Sequence, residues 1–309
     1  MANRMVFKLD AGRKLLLAGA GMLAVAGPIA VGLMNAPPIR AQAQPKSQSK
    51  EAVAFEAASV KQAAPGPGRL GAGLLPSGRF VLRGPLLVAI AFAYGIPLNA
   101  QVSERIKGLP DWDSGVAFDI EAAATFPAGL SGKARDDRAK LMLQALLADR
   151  FKLGIHAVST EMPVYALGVA KGGPKLEKAD IEEKDCPEGQ PEMTLGGPVT
   201  ACHVFNGGRG RGLHARAADM ADLVGFVEGW TDRPLLDKTG IKGLYRFDTS
   251  GWQPMQVAPF APGQQQDGVD MADIPTIFTL FEKLGLKMES TKDKVDVYVV
   301  DHVEKPTEN

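Results

Sequence analysis

The residues best suited to chemistry are few: four histidines, His156, His203, His214 and His302, and two cysteines, Cys186 and Cys202. The cysteines lie with fifteen residues between them in a Gly- and Pro-rich stretch from Asp185 to Gly212. In an oxidising compartment that spacing predicts a disulfide stapling a loop with no apolar periodicity of its own. Closing a loop of that size is worth about 3 kcal/mol in the chain-entropy account. The competing reading is a metal site of Cys202, His203 and His214. Against it, His156 and His302 stand far off in sequence without ligand spacing. A base–carboxylate pair is conceivable for His156, near Thr160 and Glu161, and for His302, beside Asp301. Adjacent strand residues point to opposite faces, so Asp301 and His302 should not pair with each other.

Three short motifs have functional look-alikes, two of them those of enzymes and the third that of a loop binding an anionic glycan or lipid headgroup. Lys238-Thr239-Gly240 matches the third motif of penicillin-recognising enzymes, but the nucleophile motif Ser-x-x-Lys occurs only as Ser47-Gln48-Ser49-Lys50, in a polar linker. It reads as a turn, with Gly240 supplying an unusual backbone angle. Gly66-x-Gly68-x-x-Gly71 matches a dinucleotide fingerprint on paper, yet Pro65, Pro67 and Pro76 flank it where a phosphate-binding helix should run. Gly207-Gly208-Arg209-Gly210-Arg211-Gly212, with Arg216 nearby, reads as a solvated loop. No catalytic residue, cofactor site or metal site is assigned.

The chain that must position these residues has 309 of them, 45% hydrophobic and 23% charged, which describes a globular protein and excludes a fibre or a disordered chain. Lys+Arg and Asp+Glu are both 35, so no basic excess argues for nucleic acid. The balance hides a division. Residues 1–43 contain Arg4, Lys8, Arg13, Lys14 and Arg40 against Asp10, leaving 30 basic and 34 acidic residues in the remainder. Within the leader, Leu15–Met34 has no charge, and Ala41-x-Ala43 is a small-x-small cleavage pattern. Roughly twenty apolar residues can also span a bilayer. Residues 1–43 are therefore a signal peptide or an N-terminal membrane anchor, with the positive flank inside and the body outside, in the periplasm or on the outer face of the inner membrane.

After a Gln/Ser/Lys linker at 44–52, the body runs over 53–309. Val53–Val60 and Arg79–Leu82 have strand character, and Pro85 opens an apolar helix ended by Tyr94-Gly95. Ala117–Ala123 alternates as a strand with Phe118, Ile120 and Ala122 on one face. Asp136–Ala148 is an amphipathic helix. Helix, strand, turn, strand then follows through Leu153–His156, the turn Thr160–Pro163 and Val164–Val169. The same order recurs from Pro275 through Leu286–Ser290, a turn at Lys292–Lys294 and Val295–Val300. A fainter copy uses a helix at Asp219–Glu228 with strands at Leu235–Asp237 and Leu244–Asp248. Repeated helix-plus-hairpin (αββ) units predict an α+β body with helices packed on antiparallel sheets, as one domain or as two similar lobes at about 53–180 and 213–309. Trp252–Met271 reads as a linker or long surface loop.

Five segments in this order carry a family resemblance: Phe55-Glu56-Ala57-Ala58-Ser59-Val60-Lys61, Leu146-Leu147-Ala148-Asp149-Arg150-Phe151-Lys152-Leu153, Met162-Pro163-Val164-Tyr165-Ala166-Leu167, Asp237-Lys238-Thr239-Gly240-Ile241-Lys242-Gly243-Leu244-Tyr245 and Asp301-His302-Val303-Glu304-Lys305-Pro306. Together they resemble the bacterial, largely acidobacterial, family known as domain of unknown function 3738, over about residues 53–309. The resemblance implies export and brings no catalytic residues with it. Some members carry the domain behind a beta-lactam-sensor-type membrane metallopeptidase, whose last membrane helix residues 11–43 resemble. The peptidase's His-Glu-x-x-His zinc helix has no counterpart here. The expectation is a non-catalytic envelope module binding a partner protein or small ligand, without nucleic acid and with the membrane engaged through the leader if it is retained. The rivals are an extracytoplasmic hydrolase with an unfamiliar site and a sensor domain separated from its peptidase.

Overall fold

The computed structural model describes residues 53–64, 71–99, 101–187, 201–208, 210–253, 255, 265–266, 269–270 and 273–307. The leader, the linker, Gly66, Gly68, Arg209 and most of Trp252–Met271 lie outside them. Among the described residues no helix is long and apolar enough to cross a membrane.

The body is α+β, and its elements come in one order twice. The first series is β1 (Ala57–Gln62), β2 (Gly71–Leu74), β3 (Arg79–Gly84), α1 (Leu86–Ala93), the single turn α2 (Val102–Arg105), β4 (Ile106–Lys107), β5 (Phe118–Ala123), α3 (Gly132–Arg150) and β6 (Gly154–Val169). The second is β7 (Glu177–Lys178), β8 (Asn206–Gly207), β9 (Leu213–Ala218), α4 (Met220–Glu228), β10 (Leu235–Asp237), β11 (Tyr245–Asp248), the small pair β12 (Gln265–Gln266) and β13 (Val269–Asp270), α5 (Ile277–Lys283) and β14 (Leu286–His302). Each series makes an antiparallel sheet with the same strand order, β1-β5-β3-β2 in one and β7-β11-β9-β8 in the other. Both closing helices stop in the left-handed region just before the long strand, at Lys152 (φ 51°) and Gly285 (φ 70°). A side chain at Gly285 would meet the Gly173 carbonyl oxygen, so glycine is required there.

The remaining strands interlock the two series. β6 and β14 pair antiparallel along nearly their whole length, from Gly154–His302 at one end through Glu161–Lys294 in the middle to Val169–Leu286 at the other. Each then takes a short parallel strand from the opposite series: β10 lies on β6 and β4 lies on β14. The ribbon joins two cores. Leu153, Ile155, Tyr298 and Val300 pack with Phe80, Ile90, Phe118, Ile120, Leu147 and Phe151 in the first. Tyr165, Leu167, Leu286 and Met288 pack with Leu213, Leu223, Phe247, Trp252, Ile277 and Phe281 in the second.

This corrects the expected helix-plus-hairpin units. Thr160–Pro163 and Lys292–Lys294 are not turns; they lie inside β6 and β14 and face each other, with Thr160 opposite Val295 and Pro163 opposite Lys292. Their polarity has another cause. Residues 156–161 are all exposed: where the ribbon crosses between the two cores its β6 strand faces solvent, while Val295 and Val297 on the paired β14 stay buried. The fainter third unit fails similarly, since β10 joins the ribbon while β11 joins β9 and β7. The helices formed close to where their patterns place them. Ser131 caps α3 by accepting from the Ala134 N–H. α1 follows Pro85, which offers no side-chain cap, and takes one from a distance: the Asp113 carboxylate accepts the Leu87 N–H at 3.2 Å.

Two side chains tie the copies together through the interior. Arg105, ending α2, holds Glu228, ending α4, at 3.2 Å, with side chains 14% and 10% exposed. Asn99 also donates to the Glu228 carbonyl oxygen. Burial pushes the Glu228 carboxyl above the ordinary carboxylate range, while Arg105 and a backbone hydrogen bond pull it back.

Candidate functional site

The chemistry-bearing residues gather where the second copy departs from the first. Between β7 and β8 the chain inserts a segment that the first copy lacks, and Cys186 and Cys202 close it with a disulfide, their Cα atoms 5.8 Å apart. The expected pairing is therefore present. Such a bond suggests an oxidising environment outside the cytoplasm.

The disulfide presents His203. Its backbone takes φ 60°, unusual for a residue with a side chain, and its N–H donates to the Ala217 carbonyl oxygen of β9. This sends the imidazole inward, where only 4% of it is exposed. Nδ1 lies 2.7 Å from Asp222 Oδ2, and Nε2 lies 2.9 and 3.1 Å from the two oxygens of Glu183. Carboxylates accept only, so both ring nitrogens donate and the ring is an imidazolium. Accordingly the Asp222 hydrogen bond, against the cost of burial, raises the His203 pKa above its ordinary value.

Asp222 is the hub of the cluster. With Asp219 it forms a reciprocal capping box at the start of α4: the Asp219 side chain accepts the Asp222 N–H and the Asp222 side chain accepts the Asp219 N–H. Lys133, from the first turn of α3, donates to Asp222 at 2.7 Å and to Asp219 at 3.1 Å. Burial alone would raise the Asp222 carboxyl, but the hydrogen bonds from His203 and Lys133 hold it far below the usual carboxylate range. Lys133 is raised, its two carboxylate partners outweighing its own burial. Three carboxylates thus meet two cations. They come from α3, the one-turn 3₁₀ helix Glu183–Asp185, the residue after Cys202 and the start of α4.

Cation binding can be tested on this donor set. Asp219, Asp222 and His203 have ligand atoms close enough for a metal ion, but the Lys133 ammonium already fills that role and would repel a divalent ion. The Cys202–His203–His214 reading is corrected: His214 pairs instead with Asp248 at 2.9 Å, on the strand pair β9–β11, and Cys202 is in the disulfide. As an imidazolium with both nitrogens engaged, His203 is no general base in this state.

The other sites resolve as follows. His156 pairs with Asp301 across the ribbon at 2.8 Å, and His302 pairs with Glu304, so Asp301 and His302 do serve different partners. The Lys238-Thr239-Gly240 segment is a turn: Asp237 accepts from the Thr239 backbone and hydroxyl, Gly240 has φ 67°, and Lys238 reaches Asp293 at 2.7 Å. Gly71 opens β2, a strand rather than a helix. The Gly207–Gly212 segment differs from a solvated loop. Added side chains would collide at Gly207 with the Gly212 carbonyl oxygen and at Gly212 with that of Thr249, and Gly208 packs on the Trp230 ring. Trp252 is fully buried, edge-on to Trp230, with its indole N–H unpartnered among the described residues.

Sequence reasoning passed over Glu183, Lys133, Asp219 and Asp222. The available signals were the acidic pair spaced as a capping box before α4 and the histidine directly after a paired cysteine.

Fold and site together define a class: a duplicated, strand-interlocked α+β domain carrying a disulfide-clamped histidine–carboxylate cluster in its second copy. The chain belongs to the family described as Protein of unknown function (DUF3738), which matches residues 88–303. No curated protein and no solved structure shows a significant match to it.

Proposed function

We propose that the chain is an exported binding module of the bacterial envelope, secreted or tethered through residues 1–43, that captures an extended segment of a partner protein by strand addition and performs no catalysis. The observation that carries this reading is the open edge of the ribbon. β10 covers β6 only at Tyr165, Ala166 and Leu167. Tyr165 and Leu167 spend their peptide groups on the Pro234 carbonyl oxygen and the Lys238 N–H. By the two-residue period, Ala157, Ser159 and Glu161 aim theirs at the same side, where no strand follows among the described residues. An extended peptide would gain main-chain hydrogen bonds there and meet the half-exposed Val158. The disulfide and the apolar leader support an extracytoplasmic location.

Three measurements test the reading. In hydrogen exchange of the full body with peptides selected from an envelope-protein library, a binding peptide should protect the amides of Ala157, Ser159 and Glu161. Protection confined to other strands would overturn the edge. Ser159→Pro, which removes one edge donor, should abolish binding while leaving the disulfide intact. N-terminal sequencing of the exported protein should start at Gln44 if the leader is cleaved and at the initiator end if it is kept as an anchor. Retention of the body in the cytoplasm would overturn the location.

A further inference from the structure

The disulfide and the imidazolium occupy the positions of a four-ligand soft-metal site. Cys186 Sγ, a His203 ring nitrogen and a Glu183 carboxylate oxygen lie within 4.8 Å of one another, and Cys202 Sγ is bonded to Cys186 Sγ. A tetrahedral zinc ion with bonds of about 2.0–2.3 Å holds its ligand atoms about 3.3–3.8 Å apart, so the first three need only close in, while Cys202 Sγ must draw away from Cys186 Sγ once their bond is broken. The rest of the geometry already has the form of a prepared metal centre. His203 Nδ1 donates to Asp222, which fixes the ring and points Nε2 at Glu183, as an outer carboxylate fixes a zinc-bound histidine. Asp222 is itself held by Lys133 and by the α4 backbone, and His203 is held by its bond to Ala217.

We propose that reduction of Cys186–Cys202 converts this cluster into a zinc-type site of Cys186, Cys202, His203 and Glu183. A dithiol donor passes two electrons and two protons to the disulfide and leaves as its own disulfide, giving two thiols. The cation then displaces the two thiol protons and the Nε2 proton, binding two thiolates, neutral Nε2 and the Glu183 carboxylate. Asp222 keeps its hydrogen bond from Nδ1, and Lys133 compensates the charge gathered behind the ring. The oxidised and metal-bound states exclude each other because both use the same sulfurs. Bound metal therefore protects the thiols from reoxidation.

The test uses the full-length protein, oxidised or reduced with a phosphine under nitrogen, titrated with Co²⁺ and then Zn²⁺. The reduced protein should take up one equivalent of cobalt, with intense tetrahedral d–d bands and a sulfur-to-cobalt charge-transfer band that zinc bleaches. The oxidised protein should show neither. Asp222→Asn should weaken cobalt binding about 10- to 100-fold, as loss of an outer-sphere carboxylate does. Glu183→Gln, at an exposed position, should weaken it without altering circular dichroism. An octahedral cobalt spectrum without sulfur bands in the reduced protein would overturn the proposal. So would equal binding by the oxidised protein, or a tetrahedral spectrum unchanged in both variants, since two cysteines of an unfolded chain would bind irrespective of them.

Discussion

The two copies share a framework and differ in what they do with their first helix. In the first copy α1 is apolar and deeply buried, and its N-terminus is capped by Asp113 from a later turn. In the second copy the equivalent α4 carries its own acidic cap, and that cap recruits Lys133 from the first copy and His203 from the disulfide segment. Both frames carry a core, and the second also holds a charged cluster at the start of its helix. Both helices bury an apolar face, Met220, Leu223 and Val227 of α4 packing into the second core with the ribbon residues Tyr165 and Leu167, so the difference lies in how each helix start is capped.

The largest effect expected from breaking this comparison is at the buried pair that crosses between copies. Arg105→Met should cost about 3–5 kcal/mol in denaturant unfolding by leaving Glu228 buried without its partner. The loss should shrink toward acid pH as Glu228, already raised by burial, takes up a proton. Arg105→Met combined with Glu228→Leu should recover much of it, and failure to recover would mean the two side chains do not act as a pair. Next comes the disulfide. Cys186→Ala with Cys202→Ala should cost about 3 kcal/mol, measurable as a lower urea midpoint, and should leave amide protection in β1–β5 of the first copy unchanged.

A smaller effect, confined to the second copy, is expected from His203→Asn, which keeps a residue tolerant of positive φ but removes the imidazolium. Losing hydrogen bonds to charged groups should cost about 1.5–3 kcal/mol. Because the His203 pKa is raised in the folded state, its contribution in the oxidised protein is full below the ordinary histidine value and disappears as pH rises through the folded one. The Asp222 pKa is lowered, so its contribution is present above the ordinary aspartate value and disappears as pH falls below it. Stability against pH should therefore slope down on both sides in the wild type, and His203→Asn should flatten the alkaline slope. The smallest effect belongs to the ribbon's midpoint, where Glu161→Ala should change stability by about 0.2–1 kcal/mol, the scale of one exposed cross-strand pair.

How much of this was legible depended on whether local signals agreed with tertiary context. α3 was readable because Leu143, Leu146 and Leu147 fall on one buried stripe, and β5 because its alternation survives in the fold. The cysteine pair was readable from spacing and compartment. The ribbon was not. Pro163 and the Lys292-Asp293-Lys294 run carry the chemistry of turns, yet they are polar because these positions face solvent where the strand pair passes from one core to the other. The repeat shows in the sequence at too short a period, since the polar middle of each long strand reads as a turn between two strands. The His203 cluster was illegible as a unit because its members lie up to ninety residues apart, from Lys133 to Asp222, and only folding brings them together.

The interlocked ribbon also governs the order of events in making the protein. The first copy can close its β1-β5-β3-β2 sheet as it emerges, but β6 finds its partner only after β14 has been synthesised, and the short strand β4 waits for the same element. A chain arrested in this way exposes a long unpaired strand to its neighbours. Pro163, Lys292 and Lys294 sit in the middle of the two waiting strands, where a missing donor and like charges discourage pairing with a second copy of the same strand. The residues that imitate turns thus act as gatekeepers against aggregation during the interval before the two copies meet.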